Sequence, residues 1–197
     1  MEVLTLGDVL DLREYERIRA DYLKEIIERK KLRRVHIGPI ISLLFENRDT
    51  VKFQIQEMAR AEKIITDEGI QAELDAYNTL IPGDGELKAT LFIELTSEDE
   101  LKNWLPKLVG IERSVYISTI QDPLKKIFSE PLVDHEQFLT KEEITPSVHY
   151  IAFDLSIYRT EEILNADLII GVDHAEYKFN QTLDALSAGS ILSDLTQ

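Results

Sequence analysis

Residues 82–120 read PGDGELKATLFIELTSEDELKNWLPKLVGIERSVYISTI, and the fold class turns on them. Pro82-Gly83-Asp84-Gly85 is a turn. It is no phosphate cradle, because no Lys or Ser/Thr follows and Asp84 and Glu86 would repel an anion. Leu87, Ala89, Leu91, Ile93 and Leu95 then alternate with Lys88, Thr90, Phe92 and Glu94, the period of a half-buried strand. Ser97, with Glu100 three residues on, forms a capping box. It predicts a helix reaching Leu108, with Gly110 just beyond its end. Val115–Ile120 is the next strand, so the unit reads as a strand–helix–strand crossover.

On the N-terminal side, Thr5 caps a short turn over Leu6–Leu12. A long helix follows from Glu14 to about Leu32, with Tyr15, Ile18, Tyr22 and Ile26 as its apolar stripe. Val35–Glu46 is extended, and Gly38-Pro39 breaks it as a bulge or edge. A helix spans Asp49 to Ile65, and Thr66-Asp67-Glu68 starts another that ends near Tyr77-Asn78. On the C-terminal side, residues 121–146 hold three prolines and read as loop with a short helix. Ser147–Leu155 and Asp167–Asp173 are strands, and Asn180–Leu195 is a closing helix. The expectation is one α+β domain over 1–197, with a mixed or antiparallel sheet of about five strands packed against several helices. Its helical part is 1–80, its sheet-rich part 81–175 and its closing helix 180–195.

The chain has 197 residues, no cysteine and a net charge of −15. Without cysteine there is no disulfide framework, thiolate metal site or thiol nucleophile. The charge is uneven: residues 1–63 carry +1 and residues 64–197 carry −16. A body this acidic repels phosphate backbones and speaks against general nucleic-acid binding. The exception is Arg29-Lys30-Lys31-Leu32-Arg33-Arg34, either an anion patch or a solvated helix C-terminus favoured by the helix dipole. The opening MEVLTLGDVLDLREYE lacks the regions of a signal peptide. No run approaches the ~18 apolar residues of a membrane span. The expected setting is the cytoplasm, with no membrane.

The stretch FENRDTVKFQIQEMARAE, residues 45–62, is the most polar-rich helix start. On a wheel, Val51, Ile55, Met58, Ala59, Ala61 and Ile65 share one arc, while Phe53 and Ile64 lie opposite. Only Lys52, Gln56, Arg60 and Lys63 form a plainly solvated sector. Glu62 falls within the apolar arc, and Gln54 and Glu57 lie among apolar neighbours. Glu57 and Glu62 are therefore expected to be substantially buried and each to meet a cation or several donors, since an unpaired buried carboxylate costs several kcal/mol. Arg48, Arg34 and Arg13 are candidate partners. The group is either a structural ion-pair network or a ligand pocket of Glu46, Arg48, Gln54, Glu57 and Glu62, whose oxygens suit Mg²⁺ or Mn²⁺.

The runs RRVHIGPIISLLFENRDTVKFQIQEMARAEKI (33–64), AYNTLIPGDGELKATLFIEL (76–95) and VDHAEY (172–177) resemble an uncharacterised bacterial family, domain of unknown function 3501. The similarity extends from LTLGDVLDLREYERIR (4–19) to the closing helix. The family brings no established activity. The resemblance implies a genomic setting beside rubrerythrin and an iron–sulfur oxidoreductase, and so a role near peroxide or redox metabolism and oxidative stress.

Four histidines exist: His36, His135, His149 and His174. His149 shares a strand face with Ile151, Phe153 and Leu155 and reads as a core histidine. His174, in Asp173-His174-Ala175-Glu176 just past a strand, is a candidate for binding or acid–base work. No Glu-x-x-His pair, HExxH, G-x-S-x-G, G-x-G-x-x-G or P-loop occurs. The leading expectation is a non-enzymatic accessory or binding protein whose partner is a rubrerythrin or an iron–sulfur oxidoreductase. The rival is a metal-dependent enzyme using Glu46, Glu57 and Glu62. No cofactor is identified, and a small-molecule sensor is a third reading.

Overall fold

The computed structural model describes residues 2–132 and 144–196. Strands β1 (Arg34–Ile37), β2 (Ile41–Phe45) and β3 (Glu86–Ile93) join β6 (Glu130–Pro131) and β7 (Val148–Asp154) in one sheet, in the order β1-β2-β3-β7-β6. Strands β4 (Val115–Thr119), β5 (Ile127–Phe128), β8 (Leu168–His174) and β9 (Tyr177–Thr182) form a second, in the order β5-β4-β8-β9. Every pairing is antiparallel. The α+β class stands, with two sheets rather than one. Strands β3 and β4 lie in different sheets, so the helix between them, α4 (Glu98–Trp104), is no crossover within a sheet.

Helices α1 (Leu12–Lys31), α2 (Arg48–Glu62) and α3 (Asp67–Tyr77) precede β3, and α5 (Thr160–Leu164) and α6 (Ala185–Leu192) come late in the chain. Local side chains set their starts. Asp11 accepts from the amides of Arg13 and Glu14, Asn47 from Asp49 and Thr50, Thr66 from Gly69, and Asp184 from Leu186 and Ser187. The expected capping box at Ser97 and Glu100 is present. Each such cap satisfies amides that the helix leaves open and is worth ~1 kcal/mol.

Several expectations change. Gly38-Pro39 is the turn of a hairpin between β1 and β2, not a break in one strand. Gly38 sits at φ 67°, and a Cβ there would lie 2.4 Å from the Tyr177 hydroxyl, so only glycine fits. Asn180 opens no helix: it lies in β9, and the closing helix starts only after the Asp184 cap. The segment expected to be loop holds β5 and β6, and its residues 133–143, with His135, lie outside the described residues. Ile18 of the α1 stripe is exposed, whereas Tyr15 and Ile26 are buried.

The two sheets share one core. Leu87, Ala89, Leu91 and Ile93 from β3 join Ile117, Ile170 and Val172 from the other sheet, with Ile191 and Leu192 from α6. Burying each such aliphatic side chain contributes ~1.5–3 kcal/mol. The opposite face of β3 and β7 carries Thr90 and Tyr150, and α2 lies over it. A second, smaller cluster there joins Val51 and Ile55 of α2 to Leu74, Leu80 and Leu4. Helix α2 is thus held between the first sheet and the N-terminal segment.

Candidate functional site

The start of α2 is a closed polar network. Glu46 is 2% exposed, and its carboxylate accepts from the hydroxyls of Thr50 and Thr90. Arg33, also 2% exposed, donates to the carbonyls of Phe45 (2.8 Å), Ser190 (2.7 Å) and Glu46 (3.2 Å). Its two terminal nitrogens also face Asp194, in an ion pair. Burial pushes the Asp194 carboxyl up, and Arg33 pulls it back. The half-buried Lys30 amine sits 4.8 Å from the centre of the Phe53 ring, and burial lowers its pKa. The basic run 29–34 is therefore split: Arg33 is in the interior, and Arg34 turns to Ser42 and Glu94.

Above this network lies a cleft of ≈ 320 Å³ with Arg29, Arg33, Asn47, Arg48, Asp49 and Ser193 in its wall. Its cations are matched. Arg29 pairs with Glu25 and Asp49, and Arg48 with Asp8. The Asp8 carboxyl is held down at about 2, first by the Thr5 amide and then by Arg48.

Along the middle of α2 the polar side chains clamp neighbours. Gln54 hydrogen-bonds Tyr150. Glu57 accepts from the Nε and Nη2 of Arg19, each at 2.8 Å, and from the Tyr15 hydroxyl at 2.6 Å. Arg19 holds the Glu57 carboxyl below its usual range, and burial with Glu57 beside it drives the Tyr15 phenol up. Glu57 does meet a cation, though not one of the three expected. Gln56 is 1% exposed and grips Leu10 through its amide and its carbonyl, each at 2.9 Å. It is not in a solvated sector, because the N-terminal segment covers that side. Nothing in the helix pattern reveals a covering chain 46 residues away.

The end of α2 differs. Glu62 is exposed, against the expectation, because the helix stops there. Lys63 turns left-handed at φ 57° and closes onto the carbonyls of Ala59 and Arg60. Beyond it Ile65 is 81% exposed. Leu6, Val9, Leu10, Ile64, Ile65 and Ile70 wall an open groove of ≈ 400 Å³, with Asp11, Arg13 and Asp67 at its edge. A shallower groove continues from Leu6 and Asp67 past Glu68, Gln71 and Asp75 along α3. Glu73, raised by burial and by the charge of Glu62, adds to this acidic hairpin. Sequence reasoning missed the groove. Its one signal was the Ile64-Ile65 pair directly after a helix end.

His174 is spent on structure. Its Nε2 lies 3.0 Å from the Val109 carbonyl, and its Nδ1 accepts from the Glu176 amide at 3.3 Å. A carbonyl only accepts, so Nε2 carries the hydrogen. Glu46, Glu57 and Glu62 do not converge. The described residues hold no group of three or more His, Asp or Glu placed to bind a metal ion.

A solved structure of a novel protein of unknown function from Burkholderia pseudomallei K96243 is 36% identical, with a TM-score of 0.90. The match covers 98% of this chain and 100% of that one. No curated protein matches. The model of the family described as protein of unknown function DUF3501 matches residues 3–195, and the chain belongs to that family.

Proposed function

We propose that the chain is a non-enzymatic binding protein whose groove at the end of α2 takes a basic, amphipathic segment of a protein partner. The observation that carries this is the groove itself: aliphatic walls left open to solvent, edged by Asp11, Asp67, Glu68 and Asp75. An exposed apolar patch with a polar rim is the form of an interaction site. An apolar helix face fills such a groove through residues spaced three and four apart. The rim is mostly acidic, with Arg13 beside Asp11, Asp67, Glu68 and Asp75, and this balance favours a basic partner and speeds encounter.

The family resemblance supplies the candidates, a rubrerythrin or an iron–sulfur oxidoreductase, in a cytoplasmic setting. No helix among the described residues is long and apolar enough to cross a membrane. The rival reading, a metal enzyme built on Glu46, Glu57 and Glu62, draws no support from side chains whose partners are so different.

The test is affinity purification of tagged wild type and Ile65→Asp from native cells at mild salt, with recovered proteins identified by mass. Wild type is expected to retain one of the two candidate redox proteins and Ile65→Asp to lose it. Recovery of neither, or equal recovery by both forms, overturns the proposal.

A further inference from the structure

The two sheets end on β1, β6, β5 and β9, and these edges differ. Strands β5 and β6 have two residues each, and β6 ends in Pro131. Strand β1 has four and opens on Arg34. Strand β9 has six, Tyr177–Thr182, without a proline. Proteins guard a long edge with proline, a bulge or charge, because its free amides and carbonyls pair with any strand that meets them. The charge on β9 is Lys178, and its ammonium is drawn to Asp173 on β8, 3.0 Å away.

The ladder fixes which backbone groups are free. The Leu183 amide donates to the Leu168 carbonyl at 2.9 Å. Hydrogen-bonded pairs recur at every second residue of an antiparallel ladder, so Tyr177, Phe179 and Gln181 also turn their amides and carbonyls toward β8. Lys178, Asn180 and Thr182 turn theirs off the sheet, where no described residue takes them. The strand is pinned in this pose. Tyr177 is buried, and its hydroxyl donates to the Ile37 carbonyl at 2.6 Å. The Phe179 ring centre lies 4.7 Å from that of Tyr177, yet Phe179 is 44% exposed.

This edge is complementary to itself. Asn180 is the middle one of the outward residues. A two-fold axis through it sets Asn180 against the second copy's Asn180, and Lys178 against the second copy's Thr182. Every outward amide and carbonyl then finds a partner, and no lysine faces a lysine. Phe179 comes opposite the second copy's Gln181, which covers its open ring. Charge favours the same occupant. The chain carries −15, so two copies repel over most of their surface, but residues 177–183 hold one lysine and no acid.

We propose that β9 pairs with β9 of a second copy, antiparallel and centred on Asn180, so that the two second sheets continue into one across a dimer. The contact is a single strand edge, so the dimer forms in the micromolar range and is not obligate. It uses none of the residues that wall the groove at the end of α2 and does not depend on the partner proposed there.

Sedimentation equilibrium from micromolar to millimolar concentration, at moderate salt to screen the like charges, tests this. Wild type is expected to pass from monomer to dimer. Asn180→Pro removes the central outward amide, and proline is tolerated where an edge N–H faces solvent. Asn180→Lys sets two ammonium groups against each other across the axis. Each is expected to raise the dissociation constant roughly tenfold or more and to leave the thermal midpoint of the monomer in place. If Asn180→Pro does not fold, Asn180→Lys carries the test. Hydrogen exchange at the Lys178, Asn180 and Thr182 amides of wild type is expected to slow as concentration rises, and exchange unchanged at all three overturns the proposal. A wild type that stays monomeric leaves the edge to an extended segment of another protein and overturns it too. So does a dimer that both Asn180 variants retain, or one that Ile65→Asp alone abolishes, which would seat the second copy in the α2 groove.

Discussion

At its start α2 is fastened by charge, and at its end it is bordered by apolar side chains open to water. The two ends share one helix and similar residue types, yet Glu46 is buried under hydroxyl donors while Glu62 is exposed. The difference lies in what covers them. The start is enclosed by the end of β2, by β3 and by the C-terminal turn that brings Asp194 to Arg33. The end meets α1 through the Arg60–Glu16 pair, the N-terminal segment and the α2–α3 turn, and these leave a groove. Polar residues in a covered place must be paired, so they serve structure. Apolar residues in an uncovered place remain available to a partner.

The largest expected effect breaks the covered end. Asp194→Ala leaves the Arg33 guanidinium buried without its counter-charge, and losing one partner of a buried ion pair costs ~3–5 kcal/mol. Denaturant unfolding should show a lower midpoint with an unchanged slope. A midpoint equal to wild type would show that the pair holds nothing together.

Gln56→Ala comes next. It strips two hydrogen bonds from the Leu10 backbone and opens space at a closed site, with an expected loss of ~2–3 kcal/mol. It should also speed hydrogen exchange at the Leu10 amide. Because Leu10 walls the groove, this variant links the two ends: partner binding should weaken even though Gln56 is absent from the wall.

Glu57→Gln is smaller, at ~1–2 kcal/mol, because Arg19 and Glu57 are each about a quarter exposed and partly screened. Its pH dependence has a definite sign. The folded Glu57 carboxyl is depressed by Arg19, so its stabilisation is present above the unfolded value of about 4.3 and is lost as pH falls through the lower folded value. The gap between wild type and variant should be full at pH 6 and close below about pH 4. A gap that stays constant to pH 3 would separate Glu57 from the acid stability of the fold.

Local signals made much of the fold legible. Ser97 and Glu100 announce α4, the alternation from Leu87 to Ile93 announces β3, and Thr66 announces α3. What the sequence hid is long-range. Strand β9 was lost to a helix reading because an exposed edge strand buries only Tyr177 and shows little apolar alternation. The assignment of β3 and β4 to separate sheets depends on pairings with β7 and β8, far along the chain. At the site, the wheel grouped Glu57 and Glu62 as equals. It could not show that Arg19 on α1 lies beside the first while the helix stops at the second.

The smallest stability change tests the open end most directly. Ile65 is already in water, so Ile65→Asp removes little burial and should shift stability by no more than ~0.5 kcal/mol. Glu62→Gln should be equally mild, in contrast to a buried carboxylate. Binding should respond in the opposite order. An isoleucine that docks loses ~1.5–3 kcal/mol of apolar burial when replaced by Asp, a tenfold or greater loss of partner affinity. Glu68→Gln should chiefly slow association and weaken its salt dependence, since a rim charge acts on encounter rather than on the docked contact. Titration calorimetry with the recovered partner at low and high salt separates these effects. If Ile65→Asp binds as wild type does, the groove is ordinary surface and the contrast between the two ends carries no function.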